Sequence, residues 1–84
     1  MKINDSYRII KRENECFLAN IENGDVYEIN DVTLAIFEMC EHINDFQKLI
    51  NDIYTKFQSS TDNYSKSELE RFVSELISNG FIDN

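Results

Sequence analysis

Hydrophobic residues alternate with polar ones in the first third of the chain and recur at three- and four-residue steps in the rest. Residues 7–11, 16–21 and 26–29 are short runs rich in β-branched and aromatic side chains, a composition typical of strands. Polar residues separate these runs, and the second gap ends in Asn23-Gly24, a pair that tolerates the positive φ angles of a tight turn. The pattern therefore predicts a three-stranded antiparallel meander.

The third predicted strand is short and leads almost directly into a helix. Alternation along it places Tyr27 and Ile29 on one face and Val26 and Glu28 on the other. In a simple meander this strand has one free edge, and free edges invite pairing with another chain. An edge beside a hydrophobic helix suits β-augmentation, in which a peptide joins the sheet as an extra strand. An edge covered by the protein's own helix is the alternative, and the residues alone leave both open.

Three helices are predicted after the strands. The first begins at Asn30 or Asp31, whose side chains can accept hydrogen bonds from first-turn amides. The second spans residues 45–57, and the third begins at Ser65 or Ser67. The apolar residues that recur at helical spacing are Val32, Ala35, Ile36, Met39, Cys40 and Ile43, then Phe46, Leu49, Ile50, Ile53, Tyr54 and Phe57, then Leu69, Phe72, Val73, Leu76 and Ile77.

Local signals mark both ends of the third helix. Ser65 and Glu68 have capping-box spacing, in which a hydroxyl and a carboxylate satisfy two backbone donors reciprocally. Gly80 suits the left-handed position that follows a helix. The polar residues 1–6 are expected to be frayed, and the polar residues 58–64 to form a flexible loop.

Three strands followed by three helices indicate an α+β fold that is winged-helix-like. A length of 84 residues leaves room for one domain, covering residues 1–84, and for no deep enzyme cavity. The expected class is therefore a small single domain.

The charge balance is strongly acidic, with 16 Asp and Glu residues against 8 Lys and Arg. Nucleic-acid binders need a basic surface, and the chain has no run of basic residues, so no nucleic-acid partner is expected. The negative charge either keeps a small protein soluble or attracts a cationic partner surface.

The residues that could carry catalysis are few and scattered. Cys16 and Cys40 lie in apolar patterns without paired spacing and are interpreted as buried, reduced structural cysteines. His42 is the one histidine and has no cluster of metal-ligand spacing around it. Gly24 and Gly80 are the only glycines, so no phosphate-binding loop is expected. The sequence predicts no enzyme, no cofactor and no metal.

The location expected for this protein is the cytoplasm. No signal peptide is recognisable, and no apolar stretch reaches transmembrane length, so no membrane partner is expected either. Aromatic residues at helical or strand spacing more often fill a core than bind a ligand, and six are assigned to the core on that ground. They are Tyr27, Phe37, Phe46, Tyr54, Phe57 and Phe72.

Residues 27–39 resemble the signature of the PqqD-like family, and the spacing of apolar residues in 46–57 and 68–82 is similar to that family as well. The resemblance extends from about Tyr7 to Ile82. PqqD is the peptide chaperone of pyrroloquinoline quinone biosynthesis. Its relatives are the recognition elements of ribosomally synthesised and post-translationally modified peptides (RiPPs).

The resemblance implies that the protein is not catalytic and captures the leader peptide of a precursor. The leader would add antiparallel to the third strand, in the groove against the third helix. The core peptide would pass to a separate tailoring enzyme, for example a radical S-adenosylmethionine maturase. The peptide-binding residues carried over on this ground are Asp25, Val26, Tyr27, Glu28 and Ile29 on the strand, and Leu69, Arg71, Phe72, Glu75 and Leu76 on the helix.

Two consequences follow from that implied site. If the Tyr27 amide pairs with the leader, Tyr27→Pro is expected to abolish binding, because proline removes a donor from the ladder. An acidic leader would depend on apolar anchors, with Arg71 or Arg8 supplying local positive charge.

Two other functions remain as alternatives. A winged-helix DNA-binding regulator needs a basic recognition helix, whereas the third helix carries two basic residues, Lys66 and Arg71, against three glutamates. An acidic homodimeric interaction subunit would pair edge to edge. The leader-binding interpretation expects a monomer or a weak dimer.

Overall fold

The computed structural model describes residues 1–58 and 64–84. The elements in chain order are β1 (Lys2–Ile3), β2 (Tyr7–Arg12), β3 (Glu15–Asn20), β4 (Val26–Ile29), α1 (Asp31–Cys40), α2 (Phe46–Phe57), α3 (Lys66–Ser78) and β5 (Ile82–Asp83). A three-stranded antiparallel sheet followed by three helices confirms the predicted α+β class. The predicted flexible loop falls mostly on residues 59–63, which lie outside the described residues.

The main sheet has the strand order β2-β3-β4, with both pairs antiparallel. Leu18 of the central strand is paired with Ile9 of β2 and with Tyr27 of β4, so the three side chains lie on the same face of the sheet. Leu18 is buried at 2% exposure, so this face of the sheet packs on the helices. The opposite face is open to solvent, and Val26 on it is 59% exposed.

The two turns of this sheet differ from the prediction. β2 and β3 extend further than expected and meet in a two-residue turn, where Glu13 takes a positive φ of 50°. Between β3 and β4 the chain forms a longer loop instead of a tight primed turn, and only Gly24 has a positive φ, of 81°. The Asn20 side chain organises that loop, because its Oδ1 accepts hydrogen bonds from the amides of Glu22 and Asn23.

Residues 1–6, which the sequence predicts to be frayed, include a short strand. Lys2–Ile3 pairs antiparallel with Ile82–Asp83 in a second, two-stranded sheet. Asn4 extends this contact, since its backbone amide donates to the Phe81 carbonyl at 2.9 Å and its Nδ2 donates to Asp83 Oδ1 at 2.9 Å. Backbone pairing with a segment about 80 residues away therefore orders the amino terminus.

The helix caps follow the sequence closely. Asn30 caps α1, Asp45 caps α2 and Ser65 caps α3, each accepting a hydrogen bond from the amide three residues later. Ser65 and Glu68 form a complete capping box. One apolar stripe is too long in the prediction, because α1 ends at Cys40 and Ile43 lies beyond it.

The core lies between the inner face of the main sheet and the three helices. Ile36, Leu49, Ile50, Ile53 and Val73 are all completely buried at 0% exposure. Other buried members are Leu18, Val32, Ala35, Phe37, Cys40, Leu69, Leu76 and Ile82. Leu69 and Leu76 of α3 belong to this core and also line the cavities described below, so the side of α3 that borders the edge of the sheet adjoins its core side.

Candidate functional site

The outer edge of β4 is the first component of the candidate site. In the described part of the chain only β3 pairs with β4. The Asn20 amide donates to the Asp25 carbonyl at 2.8 Å, so the Asp25 backbone carbonyl points toward β3. Backbone groups of successive strand residues point to opposite sides, so Tyr27 and Ile29 also pair with β3. Val26 and Glu28 then direct their amides and carbonyls outward.

The predicted effect of Tyr27→Pro on leader binding assumed that the Tyr27 amide pairs with the leader. The alternation of backbone groups shows that this amide faces β3 instead. The Tyr27 amide belongs to the β3–β4 ladder, opposite Leu18, and is not available to a fourth strand. The groups available to a fourth strand are those of Val26 and Glu28. Sequence reasoning could not distinguish the two sets, because side-chain alternation does not say which backbone groups face the neighbour.

A cavity of about 400 Å³ lies between this edge and α3. We call it the strand groove. Its lining residues are Leu18, Tyr27, Glu28, Ile29, Asn30, Thr33, Phe37, Phe72, Leu76 and Phe81. Leu18, Phe37 and Leu76 are buried and form its floor, whereas Tyr27 is 44% exposed and stands at its border. The lining is mainly apolar and suits the side chains of an added strand.

Phe81 lines the strand groove and contacts two tyrosine rings. Its ring meets the Tyr27 ring edge-on, with centroids 5.9 Å apart, and tilts against the Tyr7 ring at 4.9 Å. Gly80, with a positive φ of 81°, turns the chain after α3 and brings Phe81 to this position. The assignment of Tyr27 to the core is therefore wrong, because its ring packs on a neighbour at the surface.

A second cavity of about 420 Å³ adjoins the strand groove. We call it the helix cleft. Its lining residues are Asn30, Val32, Thr33, Tyr64, Glu68, Leu69, Arg71, Phe72 and Glu75. Asn30, Thr33 and Phe72 line both cavities, so the two lie side by side along α3, and we call them together the trough.

Asn30 lies where the two cavities join. Its Oδ1 accepts hydrogen bonds from the Thr33 amide at 2.9 Å and from Thr33 Oγ1 at 2.7 Å. These bonds cap α1 and hold both side chains in place at the end of β4.

The charged side chains of the trough lie on α3. Glu68 Oε1 accepts a hydrogen bond from the Ser65 amide at 3.0 Å, and this backbone bond, with the Ser65 hydroxyl, lowers the pKa of Glu68. Arg71 Nε donates to Glu75 Oε1 at 3.3 Å, one helical turn away. Among the described residues, the charged side chains that line the trough are therefore the carboxylates of Glu68 and Glu75 and the guanidinium of Arg71, which is already paired, whereas the Glu28 side chain lies on the open face of the sheet.

Arg8 does not contribute positive charge to this site. It lies on β2, at the opposite edge of the sheet, and its guanidinium donates to the carbonyls of Asp5 and Tyr7 at 2.7 and 2.9 Å. Lys66, at the start of α3, places its ammonium 5.2 Å from the centre of the Tyr54 ring, toward α2. The trough is consequently acidic.

The structure brings most of the predicted site residues together. Tyr27, Glu28, Ile29, Phe72 and Leu76 line the strand groove, and Leu69, Arg71, Phe72 and Glu75 line the helix cleft. Asp25 and Val26 line neither cavity. The lining residues that sequence reasoning did not select include Asn30, Thr33, Tyr64, Glu68 and Phe81. Asn30 and Glu68 were recognisable only as helix caps, and no local signal placed Phe81 opposite Tyr27.

The two cysteine thiols lie apart from this trough, since neither cysteine lines its cavities. Cys40 is buried, and burial raises the pKa of its thiol, whereas Cys16 is half-buried and both are free. Among residues 1–58 and 64–84 no group of three or more His, Cys, Asp or Glu side chains is placed to hold a metal ion. No helix in the same residues is long and apolar enough to cross a membrane.

Comparison with known proteins identifies a family from the sequence and a solved structure with the same fold. The sequence profile of coenzyme PQQ synthesis protein D (PqqD) matches residues 15–82. No curated protein sequence matches significantly. The solved structure of TbiB1 in complex with the TbiA(beta) leader peptide superposes with a TM-score of 0.69 at 17% identity, covering 100% of this chain and 96% of that one. At this identity the superposition establishes a shared fold.

Proposed function

The chain belongs to the family of coenzyme PQQ synthesis protein D (PqqD), and we propose on that premise that it binds the leader region of a ribosomally synthesised precursor peptide. The leader joins the main sheet as a strand antiparallel to β4. The observation that carries this proposal is the free edge of β4 above an apolar groove bordered by α3. Main-chain hydrogen bonds to such an edge provide affinity, and pockets for alternate side chains provide selectivity.

The geometry of the edge supports this mode of binding. The outward amides and carbonyls of Val26 and Glu28 are two residues apart, the spacing at which a new antiparallel strand pairs. Side chains of the peptide that point inward would contact Tyr27, Phe72 and Phe81 in the strand groove. TbiB1, which shares this fold, has been solved with a leader peptide bound, and that is consistent with the same use of the fold here.

The proposed role is recognition without catalysis. The modifying chemistry belongs to a separate enzyme that receives the core of the precursor, and a radical S-adenosylmethionine maturase is the class we propose. The protein acts as a monomer or a weak dimer, and its two free thiols fit a reducing compartment such as the cytoplasm.

The experiment is a titration of the ¹⁵N-labelled protein with leader segments of precursor peptides encoded near its gene. The expected result is large amide shifts in residues 26–29 and along the groove side of α3, with small shifts in α2. Amide shifts confined to β2, or saturable binding that leaves the β4 amides unchanged, would contradict strand addition at β4. Binding of duplex DNA at low salt in a gel-shift assay would favour a regulator instead.

A further inference from the structure

We infer that this trough selects a peptide with net positive charge and holds a Lys or Arg side chain in the helix cleft. The inference rests on the proposed function, because strand addition on β4 is what brings a peptide along the trough. The strand edge and the two cavities define the site, and the charges decide which peptides fit it.

The direction of the added strand determines which part of the peptide reaches the helix cleft. β4 runs from Val26 to Ile29 and is followed by Asn30, which lines the helix cleft. An antiparallel peptide runs the opposite way, so its strand-forming residues are preceded in its own sequence by the residues that enter the cleft. The cationic residue therefore lies on the amino-terminal side of the peptide's strand segment.

The lining of the helix cleft suits a long cationic side chain. Val32 and Leu69 are buried beneath it and Phe72 is half-buried, which provides an apolar surface for a methylene stem. The carboxylates of Glu68 and Glu75 lie at exposed positions of α3, where a charged head group can stay hydrated. Lys and Arg bury the stem while keeping the charge in water, so they match both parts of the lining.

Among the described residues, the negative charge that lines the trough exceeds the positive charge. Arg71 is bonded to Glu75, which leaves the carboxylate of Glu68 to determine the sign of the local field in the helix cleft. The whole chain has a formal net charge of −8, and this field acts in the same direction over longer distances. An acidic peptide strand would be repelled along its length, and a basic one would be attracted.

The test begins with a library of random twelve-residue peptides selected on the immobilised full-length protein. We expect Lys and Arg to be enriched over Asp and Glu among the selected peptides, mainly toward their amino-terminal ends. Affinity of the best peptide is then compared with that of its Lys→Glu counterpart, which is expected to bind at least about tenfold more weakly because attraction is replaced by repulsion.

Protein variants locate the effect on α3. Glu68→Gln keeps an acceptor for the Ser65 amide. Glu68→Gln and Glu75→Gln should each weaken binding of the basic peptide about two- to fivefold, the range of exposed ion pairs. Arg71→Gln should tighten binding, because it frees Glu75. Glu70→Gln makes the same charge change at a residue that lines neither cavity, and it serves as the matched control.

The outcomes separate this inference from the proposed function. Selection of no peptide at all would contradict strand capture and the inference with it. Selection of acidic or uncharged peptides that shift the Val26 and Glu28 amides would leave strand capture standing and overturn the charge preference. Equal effects of Glu68→Gln and Glu70→Gln would also overturn it, since the cleft would then have no special role.

Discussion

Tyr27 and Phe81 meet with their rings 5.9 Å apart and nearly perpendicular, at 87°, although 54 positions separate them in the chain. Edge-to-face contacts of this kind stabilise beyond the area they bury. Here the contact joins the free edge strand to the segment that follows α3. Both residues line the strand groove.

Phe81→Ala removes the aromatic contacts to both Tyr27 and Tyr7. We expect the free energy of unfolding to fall by about 2 kcal/mol, less than for a completely buried Phe because this ring is half-buried. Urea unfolding measures the change. Tyr27→Phe is the control, since it keeps the ring and loses only a long 3.5 Å contact to Asp25. Equal losses in the two variants would contradict the importance of the Phe81 ring.

Proline at position 28 tests the direction of the β4 amides. Glu28→Pro removes an outward amide donor and leaves the β3–β4 ladder intact, so the protein should still fold. Its affinity for a leader peptide should fall about tenfold, which corresponds to the loss of roughly one hydrogen bond. Isothermal titration calorimetry measures the affinity. Glu28→Gln controls for the lost charge.

Tyr27→Pro is the informative counterpart of that variant. Because the Tyr27 amide pairs with β3, proline there should lower stability itself, which circular dichroism during urea unfolding would report. If Tyr27→Pro were as stable as the parent protein and Glu28→Pro unfolded, the assignment of inward and outward amides would be reversed.

Asn4 holds the amino terminus to the end of the chain. Asn4→Ala removes the bond from Asn4 Nδ2 to Asp83 and the acceptor for the Ser6 amide, so we expect a loss of about 1–2 kcal/mol in the free energy of unfolding. Lys2→Ala is the control, because Lys2 is exposed and its 3.8 Å contact with Asp5 contributes little. A frayed terminus would make both substitutions neutral in urea unfolding.

The capping box of α3 makes part of the stability dependent on pH. The pKa of Glu68 is lowered in the folded state by its bond to the Ser65 amide, so its contribution is fully present above the unfolded pKa. That contribution is lost as pH falls through the lowered pKa. Glu68→Gln should therefore show a shallower fall in Tm between pH 5 and pH 3.

Ser65→Ala should reduce stability by about 1 kcal/mol at pH 7 through loss of the amino-terminal cap. Circular dichroism during thermal unfolding measures the Tm of both variants, Ser65→Ala and Glu68→Gln. A parallel pH dependence in the parent protein and in Glu68→Gln would exclude Glu68 as a source of the acid sensitivity.

The two thiols should react at different rates. Cys40 is completely buried, its Sγ donates to the Phe37 carbonyl at 3.3 Å, and burial raises its pKa, whereas Cys16 is half-buried. A thiol reagent such as DTNB should modify about one thiol per native chain and the second only on unfolding. Cys16→Ser should abolish the fast phase; a fast phase that persists would contradict this order.

The elements that the sequence predicted correctly depend on neighbours within a few residues. The cap from Asn30 to Thr33, the capping box from Ser65 to Glu68 and the turn at Gly80 are local, so their residue types and spacing carry the information. The signals that predicted β4 as a strand also lie within a few residues of it. The sequence by itself therefore determined the order of the three main-sheet strands and the three helices, and with it the class of the fold.

Tertiary structure alone decided the details of the site. The pairing of Lys2–Ile3 with Ile82–Asp83 and the contact of Tyr27 with Phe81 join distant segments, and no local pattern encodes such contacts. The outward direction of the Val26 and Glu28 amides depends on the register with β3, which side-chain alternation leaves open. The position of the two cavities on either side of Asn30, and hence the acidic trough, follows from how α3 packs beside the sheet. Packing of distant segments, which local spacing does not specify, shaped the surface proposed to bind the peptide.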